Sequence, residues 1–335
     1  MILDARAARC VHVPSGRVSI LHIGTNPRSM TVTQAPYPIG TPGIPWSDAE
    51  RAEWLSRQRR QRSYSNDVVN TIDRLRARFD VSEYGRISYP PDDYRLYEIR
   101  SRGWRDDRPI ALITGGVHGY ETSGVHGALQ FVDQRAEAYA ARINLLVAPC
   151  VSPWAYERIH RWNANAIDPN RSFRENSQAE ESAALMRLIV PFRDRILLHI
   201  DLHETTDTDE SEFRPALAAR DGKVYEPDTI PDGFYLVANR ENPELEFQQA
   251  IIEGVSKVTH IAPADEKGQI IGSDPIAPGI IQYELRKLGL CAGMTNARFT
   301  TTTEVYPDSA RATPEICNAA QVAAVCAALD FALTH

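Results

Sequence analysis

The chain has 335 residues, of which 43% are hydrophobic and 24% charged, and a formal net charge of −7. This is the composition of an ordinary soluble globular protein with room for one large α/β domain or two small ones, and it excludes disordered, collagenous and disulfide-scaffold classes. The negative charge repels phosphate backbones and anionic membrane surfaces, so no nucleic-acid and no membrane partner is expected, and a small molecule is.

Five cysteines, Cys10, Cys150, Cys291, Cys317 and Cys326, are odd in number and form no CxxC pair. Neither a disulfide framework nor a Cys-based zinc site follows from them, and a reduced, cytoplasmic setting fits. The first two dozen residues mix charge with short apolar stretches and lack the uninterrupted apolar stretch and cleavage site of a secretory signal.

Residues 1–46 are turn-rich and read as an extended arm or irregular cap. A helix is predicted from Ser47, with Ser47 and Glu50 as a capping box, to about Arg60. The basic run Arg57 to Arg62 at its end reads as a solvated face. Val68, Val69, Ile72, Leu75 and Phe79 share one face of a second predicted helix. Beyond Pro90 and Pro91, apolar runs at 110–114, 143–148 and 196–200 alternate with helical patterns near 122–141 and 178–190. Such alternation predicts an α/β fold with a mixed, mainly parallel sheet between helices. The last helix starts at Thr313 as N-cap, with Pro314 in its first turn and Glu315 at the positive end of the dipole. Its apolar stretch Ile316 to Leu333 contains Asn318, Gln321 and Asp330, which fits a buried helix and not a membrane span. The expected organisation is an N-terminal extension over 1–80, with two helices packed on the main domain, and a catalytic domain over 81–335.

Gly115-Gly-Val-His-Gly-Tyr-Glu-Thr-Ser-Gly124 leads from a strand into a Gly-rich turn carrying His118 and Glu121, whose spacing brings the two side chains together if the segment makes a helical turn. In Leu197-Leu-His-Ile-Asp-Leu-His-Glu204, the residues His199, Asp201 and His203 alternate on one strand face. His203 is expected at the strand end, where a ligand belongs. His199 lies further back and reads as a core histidine, and Asp201 as a carboxylate that orients an imidazole. Two imidazoles and a carboxylate with an open fourth position are the donor set of a catalytic zinc. Between these motifs lies Arg161-Trp-Asn-Ala-Asn-Ala-Ile-Asp-Pro-Asn-Arg-Ser-Phe173.

The order HxxE, RxNxNxxDxNRxF and DLH resembles the zinc carboxypeptidase (carboxypeptidase A-like) family over roughly residues 88–333. That resemblance implies a carboxypeptidase-like fold and one Zn2+ held by His118, Glu121 and His203. It further implies that Asp168 orients the first imidazole, that Asn170 and Arg171 grip a terminal carboxylate, and that Arg161 stabilises the oxyanion of the tetrahedral intermediate. Arg161 in a surface salt bridge, with Arg158 as the better match, is the alternative. The family's Gly-Val-Asp-Leu-Asn-Arg-Asn-Phe is here Ala166-Ile-Asp-Pro-Asn-Arg-Ser-Phe173, so a different loop shape is expected around Pro169. Tyr283 is the candidate for the family's substrate-capping tyrosine, against a plain core role.

Two glutamates compete for the general base. Glu304 ends the β-branched run Phe299 to Thr303, and the order strand, Glu, Pro-containing loop and final helix resembles the family's. Glu284 lies in IIQYELRKLG, where Ile280, Ile281, Leu285 and Leu288 have helical spacing and a helix surface accounts for it. Glu304 is therefore preferred. The acidic stretch Glu204 to Glu212 is open to three readings: a second cation site, an attraction for a basic substrate group, or a solvated loop.

The activity these features imply is metallopeptidase hydrolysis of a C-terminal peptide bond or related amide, with Glu304 shuttling the proton. A nearby alternative is an N-acyl amino acid deacylase similar to succinylglutamate desuccinylase or aspartoacylase, acting on acyl amino acids. A non-catalytic metal-binding protein on the same fold is the third.

Overall fold

The computed structural model describes residues 37–335, so most of the expected N-terminal arm, and Cys10, lie outside the described residues. Helix α1 (Asp48–Arg57) begins where Ser47 accepts from the Ala49 N–H and Glu50 accepts from the Ser47 N–H at 2.8 Å. A π-helical turn, Ser65–Val69, leads into α2 (Asn70–Leu75), which stops short of Phe79 because the chain turns there into β1 (Asp80–Tyr89). Trp54, Val68, Ile72 and Leu75 are buried in one apolar cluster with Leu96, Phe131 and Trp154.

After β1 come β2 (Asp92–Arg100), β3 (Ile110–Gly115), α3 (Thr122–Gln134), α4 (Ala136–Ala140), β4 (Asn144–Ala148) and α5 (Pro153–Arg158). The chain continues through α6 (Glu180–Ile189), β5 (Ile196–Glu204), α7 (Arg214–Arg220), β6 (Tyr235–Asn239) and α8 (Leu245–Ser256). It closes with β7 (Ile280–Tyr283), α9 (Leu285–Leu288), β8 (Phe299–Val305) and α10 (Pro314–Ala332). The eight strands form one sheet in the order β1-β2-β4-β3-β5-β8-β6-β7. Its centre, β4-β3-β5-β8, is parallel, and antiparallel pairings join β1 to β2, β2 to β4 and β6 to β8.

The unbroken apolar runs of β3 and β4 follow from cover on both faces. Ala111, Ile113, Leu145 and Val147 pack in the cluster that holds Val125 and Leu129 of α3 and Ala324 and Val325 of α10. Ile110, Leu112, Leu146 and Ala148 pack with Leu185 and Ile189 of α6 on the other face. Helix α10 lies in this core, and its Gln321 accepts from the Thr303 hydroxyl at 2.6 Å and donates to the His203 carbonyl at 2.9 Å.

One local expectation is corrected. The helix read into 280–288 is instead β7 followed by the single turn α9, because Ile280 and Ile281 pair with Leu236 and Val237 of β6, and Gly289, at φ 69°, ends the turn. His203 stands at the end of its strand as expected, with Glu204 the last residue, since β8 continues the ladder through Leu202↔Thr303, His203↔Glu304 and Glu204↔Val305.

Candidate active site

The carboxyl ends of β3, β5 and β8 converge, which is where parallel α/β sheets present functional side chains. Past β3 the chain turns at Gly116, which has φ 61°, and at Gly119 it presses against α5 so closely that a Cβ there would lie 2.0 Å from the Ala155 carbonyl carbon. This turn carries His118, and α3 begins only after Glu121. The two ligands therefore converge without a helical turn between them; the loop brings them together because close backbone packing holds it.

His118, Glu121 and His203 are buried, with one ligand atom of each within 4.8 Å of the others. His118 Nδ1 lies 2.6 Å from Glu121 Oε1, and His203 Nδ1 lies 2.7 Å from Glu121 Oε2. The second approach lacks hydrogen-bond direction, so Glu121 Oε2 is a buried oxygen without a hydrogen-bond partner. Each imidazole turns its other nitrogen to a carboxylate: His118 Nε2 is 3.1 Å from Asp168 Oδ1, and His203 Nε2 is 2.6 Å from Asp201 Oδ2. Three buried carboxylates around two imidazoles, with both Nδ1 atoms and a carboxylate facing one point, fit a divalent cation, and His and Glu donors fit zinc. Burial disfavours the Glu121 carboxylate, yet the two imidazoles outweigh it and hold its pKa at about 2.

His199 stands apart from this centre, between the hydroxyls of Thr114 at 3.2 Å and Thr295 at 3.3 Å. A cavity of about 650 Å³ is lined by His118 and Glu121 of the triad and, among others, by Arg161, Arg171, Tyr283 and Glu304. Glu304, the strand neighbour of His203, accepts from the Thr205 hydroxyl at 2.9 Å through Oε2. Burial, reinforced by the nearby Glu121 and Asp209 carboxylates and opposed by His203, pushes Glu304 up to about 8. A cation at the triad acts in the opposite direction. Glu284 does not line the cavity; its side chain is 40% exposed and bonded to Lys287 Nζ at 2.7 Å.

Asp168 caps a 3-10 turn, Pro169–Arg171, by accepting the Asn170 N–H at 2.8 Å, and this is the local form the proline imposes. The turn separates the two residues expected to act as a pair. Asn170 is buried, with Oδ1 accepting the Cys291 N–H at 2.7 Å and Nδ2 3.5 Å from His203 Nε2. The Arg171 side chain opens to the cavity and donates to the Asn170 carbonyl at 2.7 Å. Tyr283 ends β7 with its hydroxyl accepting from Ser273 at 3.4 Å. Arg161 is held by Asp168 and Asp209, whereas Arg158 pairs with Asp92 at 2.6 Å and does not line the cavity.

Sequence reasoning missed Glu204, which begins the acidic stretch but lies in β5. Its carboxylate accepts the Thr122 and Ser123 N–H groups at 3.0 and 2.7 Å, capping α3 immediately after Glu121, and burial pushes it up to about 7. No local signal marks this, because partner residues lie about 80 positions away. The rest of the stretch is not one solvated loop. Glu212 accepts from the Tyr37 hydroxyl at 2.7 Å, Glu210 pairs with Arg214, and among the described residues the triad is the one His/Cys/Asp/Glu group close enough to hold a metal.

The sequence model of the succinylglutamate desuccinylase/aspartoacylase catalytic domain matches residues 107–226, a span from just before β3 to beyond α7. Among solved structures, a presumed metallopeptidase from Shewanella amazonensis superposes with a TM-score of 0.61 at 19% identity, over 82% of this chain and 98% of that one. A metallo-carboxypeptidase from Pseudomonas aeruginosa does so with a TM-score of 0.52 at 15% identity, over 86% of this chain and 70% of that one. The chain has the zinc carboxypeptidase-like fold. Its triad occupies the carboxyl ends of the central strands of that fold, and the domain match covers His118, Glu121, Asp168 and His203 but stops short of Glu304. No curated protein matches the sequence. A hydrolase of the combined carboxypeptidase and deacylase superfamily is the activity these likenesses support.

Proposed function

We propose that the protein is a zinc-dependent metallocarboxypeptidase that hydrolyses the C-terminal amide bond of peptides or related amides. The observation that carries this reading is one cavity lined by His118 and Glu121 of the metal cluster, the half-buried Glu304 and the open Arg171 side chain. Zinc held at the cluster supplies Lewis acidity toward a carbonyl oxygen and makes water easier to deprotonate.

The chain's own groups account for the remaining steps. Arg171 offers a planar fork to a free carboxylate, which sets the substrate's C-terminal end in the cavity, and Tyr283 closes over it. Thr205 holds Glu304 Oε2, and Oε1, which has no hydrogen-bond partner among the described residues, is left as the acceptor for the proton of the attacking water. The resulting acid then delivers that proton to the leaving amine. Arg161 meets the negative charge that develops on the carbonyl oxygen.

The family match over residues 107–226 favours a second reading, hydrolysis of N-acyl amino acids, in which Arg171 would hold the same carboxylate. Incubation of zinc-loaded protein with a peptide mixture and, separately, with N-acyl amino acids, followed by mass spectrometry of the released amino acids, separates the two. Release of C-terminal residues is the expected result. Hydrolysis confined to N-acyl amino acids would transfer the assignment to the deacylase, and no release from either would leave a metal-binding protein on this fold.

A further inference from the structure

The acidic stretch after His203 contributes one carboxylate that neither metal binding nor proton transfer employs. Asp209 is buried and points at Arg161, with Oδ1 3.3 Å from Nη1. The same nitrogen donates to the Tyr120 hydroxyl oxygen at 3.3 Å, while Nε donates to Asp168 Oδ2 at 3.1 Å. Tyr120 in turn donates to Asp209, whose two oxygens are both 3.0 Å away, so its hydroxyl proton is committed and its lone pair faces the guanidinium. Of the five N–H donors of Arg161, the two on Nη2 have no partner among the described residues, and the side chain lines the cavity.

Each member of this arrangement is itself anchored. Asp209 Oδ2 accepts the Thr206 N–H at 2.9 Å, and the Asp209 N–H donates to the Thr206 carbonyl at 3.0 Å. The Tyr120 ring stacks on His118 at a centroid distance of 6.0 Å and meets the Phe213 ring at 4.6 Å. Neutralising Arg161 requires one carboxylate, and Asp168 provides it. A second buried carboxylate leaves the group with excess negative charge, an arrangement that burial penalises and neutralisation does not need. What the second contact adds is geometric: a planar guanidinium held along Nε by Asp168 and at Nη1 by Asp209 and Tyr120 cannot rotate, so Nη2 has a fixed direction.

We propose that Asp209 and Tyr120 are positioning residues that aim the free Nη2 N–H groups of Arg161 at the oxyanion formed during amide hydrolysis. The inference builds on the hydrolase reading and assigns a task to the acidic stretch within it. Removal of a single oxyanion donor costs about 10²- to 10³-fold in kcat, so loosening one while leaving it in place should cost about 10- to 100-fold.

The test uses zinc-loaded protein and the best substrate from the peptide and N-acyl amino acid panels. Asp209→Asn and Tyr120→Phe should each lower kcat by about 10- to 100-fold, with KM within about twofold and zinc stoichiometry unchanged. In an Arg161→Ala background, Asp209→Asn should cause no further loss, since it acts only through that arginine. Nitrogen-15 NMR of the Arg161 guanidinium, assigned by its absence in Arg161→Lys, should show restricted rotation in the wild type and release in Asp209→Asn. If Asp209→Asn fails to fold, Tyr120→Phe, which removes one hydroxyl, carries the same measurements. Additive losses in the double variant, or an unchanged guanidinium signal, would overturn the proposal while leaving the hydrolase reading intact. A wild-type protein inert on every amide would sink the hydrolase reading and the oxyanion role with it.

Discussion

Replacing Glu304 by Gln separates what this carboxylate does for stability from what it does for chemistry. In the metal-free protein its pKa is raised from 4.5 to about 8, chiefly by burial. Between those values the folded state binds a proton that the unfolded state has released, so stability falls as pH rises through the window. The interval from 4.5 to pH 7 spans about 2.5 pH units, and at about 1.4 kcal/mol per unit the penalty at pH 7 is roughly 3–4 kcal/mol. One wall of the site opens to the cavity, so relaxation there lowers this to roughly 1–3 kcal/mol. Glu304→Gln removes the ionisable group while keeping its shape and a contact with Thr205. The metal-free variant should therefore be more stable than the wild type at pH 7 to 8, with the difference vanishing near pH 4.5. Urea unfolding at pH 4.5, 6 and 8 measures this directly. In the zinc-loaded form the same variant should bind metal at unchanged stoichiometry and lose about 10²- to 10⁴-fold in kcat, the span of a general acid/base contribution. A variant that is less stable than the wild type at pH 8, or that retains near-full turnover, would refute the assignment; Glu284→Gln, folded but inactive, would reverse it.

His203→Ala should lose most bound zinc by elemental analysis, whereas His199→Ala should keep it and instead lose about 2–3 kcal/mol of stability from the cavity and the two threonine hydroxyls left behind. Arg171→Ala should raise KM about 10- to 100-fold on substrates with a free carboxylate, corresponding to a lost charge-assisted bond, and leave amidated substrates unaffected; equal kinetics on both would remove Arg171 from substrate binding. Gly119→Ala places a methyl against the α5 backbone, so a loss of roughly 3 kcal/mol in thermal or denaturant unfolding, with weaker zinc binding, is expected. A variant with wild-type stability would show that the turn can move away from α5.

Parallel strands buried on both faces must be apolar throughout, and for that reason β3, β4 and most of β5 stand out in the amino-acid sequence as short apolar runs between helical patterns. The capping box at Ser47 and the Thr313-Pro314-Glu315 start of α10 are legible for a similar reason, since each is a contact between residues three or fewer apart. The candidate ligands were likewise visible, because two motifs keep their donors close along the chain: His118 with Glu121, and His203 with the orienting Asp201.

Whatever depended on distant pairing was hidden. The edge strand β7 exists only because β6 accepts Ile280 and Ile281, so sequence periodicity alone suggested a helix. The burial of Glu204 beneath α3 and the inward aim of Asp209 at Arg161 leave no local trace, whereas Pro169 announced the altered turn that separates Asn170 from Arg171. The acidic stretch carries the same composition whether it faces solvent or a buried guanidinium. Its direction is decided by partners some 50 to 90 residues away, Arg161 at one side and Tyr120 at the other, and only the folded chain brings them together.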